Sequence, residues 1–214
     1  MKIILIFRVT FFTSRIITVN NEINLLANQG FTTGPLPDEQ QMIDAAKRDF
    51  RHFEPLYDHY YEQIFRFVYR RSDDDAIAAD LVSQVFYKAL GGLKNYKYTG
   101  IPFGAWLHRI ASNEVKKHYR NKGTRKIFSL EESQVKELIS ADEEDDLEVK
   151  LRQLVDFLKE LEEEELMVVE LRFFEEKGFK EIAYILDMKE SAVKMRTYRT
   201  LDKLRNLFKI NIND

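Results

Sequence analysis

The stretch GFKEIAYILDMKESAVKMRTYRTLDKLR, residues 178–205, constrains the chain most, because its spacing is that of two short helices joined by a tight turn. In the first, Ile182, Ala183 and Leu186 recur at helical spacing on one face, with small Ala183 where a second helix can approach closely. Asp187 and Met188 break the pattern. Aspartate tolerates a left-handed backbone better than most residues, so one helix can end here and another begin. On the second, Val193, Thr197, Leu201, Leu204 and Phe208 share one side. Ser191, Met195, Tyr198 and Arg199 lie opposite, with Lys194 and Arg196 on the flanks. Such a helix fits the major groove of DNA, where arginine forks grip guanine edges and flanking cations neutralise phosphates. The plainer alternative is a basic amphipathic helix on a solvated surface.

Charge along the chain bears on that choice. The net charge of -3 hides strong segregation. From Trp106 to Lys126 there are seven Lys/Arg against Glu114 alone, and from Lys189 to Lys209 seven against Glu190 and Asp202. Between them, Glu131 to Glu165 carries fifteen acidic residues against four basic. Two basic blocks around an acidic one imply two polyanion contacts and a spacer that avoids nucleic acid or imitates it. A chain of 214 residues, 44% hydrophobic and 32% charged, suits one large or two small globular domains. With no cysteine, disulfides, zinc-thiolate sites and thiol catalysis are excluded, and four scattered histidines offer no metal spacing.

Residues 1–40 are expected to be a poorly ordered extension. Arg8 and Arg15 interrupt the apolar run MKIILIFRVTFFTSRIITV, which falls short of the roughly 20 residues a membrane helix needs, so no membrane insertion is expected. No small-residue cleavage site of a signal peptide follows it, and residues 30–37 read as a linker. From Asp38 the pattern is helical. Ile43, Ala46, Phe50, Phe53, Tyr57, Tyr60, Ile64, Phe67 and Val68 recur at three and four residues, predicting a core-facing long helix or a pair broken near Pro55. Ser72 with Asp75 reads as a capping box for the next helix. That helix buries Ile77, Leu81, Val85 and Phe86, exposes Asp80, Ser83, Gln84, Tyr87 and Lys88, and stops at Gly91 and Gly92. LKNYKYTGIP is a loop with tyrosines beside lysines, a pairing suited to stacking on unpaired bases or to simple surface packing. The helix after Pro102 buries Phe103, Trp106, Leu107 and Ile110, and its other face carries His108, Arg109, Ser112, Asn113, Lys116, Lys117 and Arg120.

DLVSQVF, then FGAWLHRIASNEVKKHYR, then EIAYILDMKESAVKMRTYRTLDKLR together resemble the second and fourth conserved regions of bacterial sigma factors of the extracytoplasmic-function type, over about residues 43–208. Four departures stand out: Ser83 and Gln84 where the family commonly has Gln then an acid, Lys117 for a frequent Asp, Asp187 for the usual turn Gly, and no proline near Leu161. The resemblance implies an all-α chain of two small helical domains, a region 2 bundle and a region 4 helix-turn-helix, joined by an acidic flexible linker. The boundaries would be an extension over 1–40, region 2 over 41–123, the linker over 124–150 and region 4 over 151–210.

It further implies a cytoplasmic, non-enzymatic factor without cofactor, metal or small-molecule substrate, whose partners are core RNA polymerase, promoter DNA and an anti-sigma factor. Asp80, Gln84, Tyr87 and Lys88 would dock on the clamp coiled coil of the largest polymerase subunit. Tyr96, Tyr98, Arg109, Ser112, Asn113, Lys116, Lys117 and Arg120 would serve the minus-ten element, the tyrosines by stacking on a captured base. Ser191, Lys194, Met195, Arg196, Tyr198 and Arg199 would serve the minus-35 element. The competing reading is a helix-turn-helix transcriptional regulator that acts without replacing a sigma factor. A helical hydrolase lacks any HExxH, phosphate loop or nucleophile pattern.

Overall fold

A computed structural model describes residues 36, 38–72, 74–122, 153–154 and 156–212, with side chains as far as residue 207 apart from those of 121 and 122. Of the poorly ordered extension expected over 1–40, residues 36 and 38–40 are described, and there Glu39 and Gln40 already belong to a helix; the rest of it and the linker expected over 124–150 lie outside the described residues. Every described element is helical: α1 (Glu39–Arg48), a 3₁₀ turn (Phe50–Phe53), α2 (Glu54–Tyr69), α3 (Asp75–Gly92), a second 3₁₀ turn (Leu93–Asn95), α4 (Phe103–Lys122), α5 (Glu163–Val169) continued by a π-helical turn (Glu170–Phe174), α6 (Phe179–Leu186) and α7 (Glu190–Ile212). Contacts divide them into two compact units, one holding Phe31–Ser129 with Gly178–Glu190 and the other the remaining described residues.

In the first unit the predicted long helix is a pair. Asp49 is extended, and its side chain accepts from the backbone N–H of Arg51 to start the 3₁₀ turn. Pro55, which lacks an N–H to offer the preceding turn, sits in the first turn of α2. The tighter winding of the 3₁₀ turn shifts the helical phase. Phe50, expected in the core, is therefore 69% exposed, while Phe53, Leu56, Tyr60, Ile64, Phe67 and Val68 are buried. Asp74, and not Ser72, caps α3: its carboxylate accepts from the Ile77 N–H at 2.9 Å, while the Ser72 hydroxyl donates to backbone carbonyls. Leu81, Val85 and Phe86 are buried as their spacing predicts, and Gly91 and Gly92 close α3.

α4 packs against α2, α3 and α6, and one buried acid fixes where it begins. Glu39 of α1, 2% exposed, accepts a hydrogen bond from the backbone N–H of Phe103 at 3.1 Å through one oxygen and a short one from the Tyr60 hydroxyl through the other. A carboxylate at the first turn of α4 also complements its dipole. Phe103 is the hub of an aromatic core, with Tyr96, Trp106, Tyr60 and Phe53 rings centred 5.2–6.3 Å away.

In the second unit Glu165 accepts from the Glu162 N–H at 3.0 Å to open α5, and Leu166 through Leu171 are buried. Lys203 of α7 meets Glu165 at 2.8 Å, and Arg196 pairs with Glu164, so two cations of α7 hold the acidic start of α5.

Candidate nucleic-acid and partner interfaces

The turn between α6 and α7 takes the form its sequence predicts. Glu181 accepts from the Gly178 N–H at 2.8 Å to open α6, and Asp187 closes it in the left-handed conformation, φ 58° and ψ 46°. On α7, Val193, Thr197 and Leu204 are buried and Leu201 is half-buried; the side chain of Phe208 lies outside the described residues. The hydroxyls of Thr197 and Thr200 donate back to the carbonyls of Val193 and Arg196, which satisfies two polar groups on the buried side. Ser191, Met195 and Arg199 are exposed in a row four residues apart, Met195 with half its surface open. Lys194, Tyr198 and Arg196 are half-buried beside them, Arg196 engaged by Glu164.

On α4 the outer face is narrower than the helical wheel implies, because three helices pack against it. His108, expected outside, is fully buried, with Nδ1 2.8 Å from the Gly104 carbonyl and its ring edge-on to Phe67. Ser112 is buried as well. Tyr96, expected to stack on a base, is instead 7% exposed, its ring 4.6 Å from Trp106. Burial pushes the Tyr96 hydroxyl well above the ordinary phenol range. Asn113, Lys116, Lys117 and Arg120 stay exposed, and Tyr98 is half-buried in the preceding loop. Arg109 is held by α6: it donates to the Tyr184 carbonyl at 3.1 Å, lies 5.4 Å from the centre of the Tyr184 ring and pairs with Asp187 at 3.2 Å.

On α3, Asp80, Gln84 and Tyr87 form one exposed stripe. Gln84 donates to Asp80 at 2.8 Å, which presents the two as a unit, and Tyr87 is 80% exposed. Lys88 is drawn across to Glu114, the lone acid of basic α4, at 2.5 Å, so it ties α3 to α4. The positioning role of Glu39 and Tyr60 escaped the sequence reading. Glu39 lies 64 residues from Phe103, and a lone Glu before an apolar run carries no sign of that pairing.

Among the described residues no group of three His, Cys, Asp or Glu is placed to hold a metal, and no helix is long and apolar enough to cross a membrane. Family models for sigma-70 region 2 and sigma-70 region 4 match residues 56–125 and 157–206, together more than half of the chain. The chain is 32% identical over 157 residues to the ECF RNA polymerase sigma factor BldN of Streptomyces coelicolor, a match spanning 72% of this chain but only 60% of that protein. It is 29% identical over 161 residues to the RNA polymerase sigma factor YlaC of Bacillus subtilis, across 73% of this chain and 92% of that one. The structure of CnrH in complex with the cytosolic domain of CnrY shares the fold, with a TM-score of 0.58 at 20% identity over 80% of this chain and 97% of CnrH. The Bartonella quintana sigma factor RpoE in complex with the anti-sigma factor NepR gives 0.54 at 19% identity, over 74% and 97%.

Proposed function

The chain belongs to the sigma-70 family, in its extracytoplasmic-function branch, and on that premise we propose that it binds core RNA polymerase and directs it to promoters. The observation that carries this reading is the order of the two matched regions, each containing a basic helix with an exposed polar stripe. A sigma factor catalyses nothing itself; its work is binding, in the cytoplasm where the polymerase is. Residues 41–123 would act on the polymerase and the minus-ten element, and residues 151–210 on the minus-35 element.

The stripe Asp80, Gln84 and Tyr87, with Lys88 at its edge, docks on the clamp coiled coil of the largest polymerase subunit. An exposed tyrosine beside a fixed polar pair has the makeup of an interface anchor. Asn113 reads a base edge of the minus-ten element while Lys116, Lys117 and Arg120 neutralise phosphates, with Tyr98 available to stack on an unpaired base. Burial leaves Tyr96 and Ser112 as supports beneath them. Arg109 joins the phosphate set once it exchanges Asp187 for DNA. On α7, Arg199, Met195 and Ser191 face the bases of the minus-35 element, flanked by Lys194, Arg196 and Tyr198. An anti-sigma partner, of the kind seen on RpoE, completes the reading.

Gel filtration of the chain with and without bacterial core RNA polymerase, followed by transcription from a promoter library, tests it. Comigration with start sites sharing two spaced motifs is expected. Failure to comigrate, with tight duplex binding by the chain alone, would favour the regulator reading.

A further inference from the structure

Positions four apart on α2 carry Tyr57, Tyr61, Phe65 and Tyr69, a spacing that puts them on one face of the helix. Their rings form a ladder with successive centres 5.2, 6.0 and 6.0 Å apart, and Phe86 of α3 adjoins it at 4.6 Å from Tyr57. Phe86 is buried, but Tyr57 is 39% exposed and Tyr61, Phe65 and Tyr69 are half-buried, so the ladder stays open along its outer edge. A contiguous aromatic patch of this kind marks an interaction surface. Glu54, Asp58 and Glu62, all exposed, each stand three residues before a ring, so a row of acids runs beside the row of rings. Glu62 leans on Arg66 at 3.7 Å, a weak surface pair, whereas Glu54 and Asp58 form no ion pair among the described residues.

An occupant of this face must be apolar to cover the rings and cationic to meet the acids. Nucleic acid and an anionic membrane fail on the second count, and a second copy of the ladder brings acids of its own. The chain itself supplies a match. Residues 1–19 hold twelve apolar residues together with Lys2, Arg8 and Arg15, and no acid precedes Glu22. Arginine suits both rows, since its guanidinium packs on aromatic faces as well as pairing with carboxylates. Reach is no obstacle. α1 begins against α2, where Glu39 accepts from the hydroxyl of Tyr60, the sequence neighbour of Tyr61. Residues 20–38 can span up to roughly 60 Å, against about 24 Å for the whole of α2. Such a tether holds the segment at an effective concentration on the order of millimolar.

We propose that residues 1–19 dock on the aromatic ladder of α2 in their own chain, with apolar side chains over the rings and Arg8 and Arg15 against the row Glu54, Asp58 and Glu62. This contact goes beyond the sigma reading and stands without it.

The chain has no cysteine, so Thr10→Cys carries a single nitroxide label on the full chain, and the line broadening it causes is read at the backbone amides of the isotope-labelled protein. Amides of α2 and those around Phe86 are expected to broaden more than those elsewhere in the first unit. Arg8→Glu with Arg15→Glu should abolish that excess, and adding Asp58→Lys with Glu62→Lys should restore it. Asp58 and Glu62 are exposed, so the urea midpoint should not move. No excess along α2, or an excess that outlasts the arginine reversal, would overturn the proposal. Broadening passed from a nitroxide-labelled chain to a separate isotope-labelled one would overturn it in favour of a second copy. None of these measurements involves polymerase, so failure of the sigma reading shows separately, as no comigration with core enzyme.

Discussion

A methyl group added at Gly104 would lie 2.6 Å from Cε1 of Tyr60, closer than packed atoms approach, and the ring has little room to move because its hydroxyl is tied to Glu39. Gly104→Ala should therefore cost about 1–3 kcal/mol by overpacking. Gly91 meets nothing within 4 Å, so Gly91→Ala should be neutral or stabilise α3 by up to about 1 kcal/mol. Urea midpoints moving in the same direction for both variants would refute the contrast. Glu165 links a single residue to pH. Burial raises its carboxyl, but hydrogen bonds from Lys203 and from the Glu162 N–H outweigh that and hold it below its ordinary value of 4.5. A depressed folded-state value means the unfolded chain binds the proton more readily, so this contribution is complete above about pH 4.5 and is lost as pH falls further. The stability gap between the native chain and Glu165→Gln should thus be constant near neutrality and shrink below about pH 4.5; a gap unchanged down to pH 3.5 would show that the Lys203 contact contributes nothing.

At the level of elements, the two basic helices α4 and α7 were legible from periodicity, and the exceptions have physical causes. Asp187 announced the left-handed turn because few side chains tolerate that conformation, and the buried row Val193, Thr197 and Leu204 followed from helical spacing. The inward positions of His108 and Ser112 did not follow, since a wheel assigns one buried side and α4 is packed by three helices; Tyr96, in the loop before α4, is drawn inward by the Phe103 and Trp106 rings, which its sequence neighbours do not announce. Phe50 turned outward because Asp49 starts a 3₁₀ turn, a phase slip that no 3.6-residue repeat anticipates. These placements shape what substitution should do. If Arg199, exposed on α7, carries base preference as proposed, Arg199→Ala should cost about 1–3 kcal/mol on a matching minus-35 site and much less on unrelated duplex. An equal loss on every sequence would reduce it to a phosphate contact. Removing Lys116 and Lys117 together should flatten the salt dependence of binding by roughly 0.9 per phosphate released, measured on a promoter duplex. An unchanged slope would place them away from the DNA.

Across the whole molecule, sequence distance limited what was legible. The pairs Glu39 with Phe103 and Arg109 with Asp187 join residues far apart in the chain, and neither partner's type names the other. Charge segregation needs no folded structure to be read, and it yields the broadest expectation. Both candidate DNA stripes lie in basic blocks, yet the whole chain is net negative because Glu131 to Glu165 holds fifteen acids. Asp142, Glu143, Glu144, Asp145 and Asp146 alone contribute -5, so replacing them with their amides takes the net charge from -3 to +2. Repulsion between such a run and DNA lowers the encounter rate at any sequence, whereas base contacts in the stripes act only at matched sites. If the acids restrain indiscriminate binding, the amide variant should bind random duplex more tightly at low salt, through a faster association rate, with little change at a matched promoter on the polymerase. The advantage should fade as ionic strength approaches 0.5 M, where exposed charges are screened within about 4–5 Å. Association rates on random duplex that are identical for both chains at low salt would mean that the acids exert no field on the approaching DNA, and that selectivity resides in the stripes and the polymerase alone.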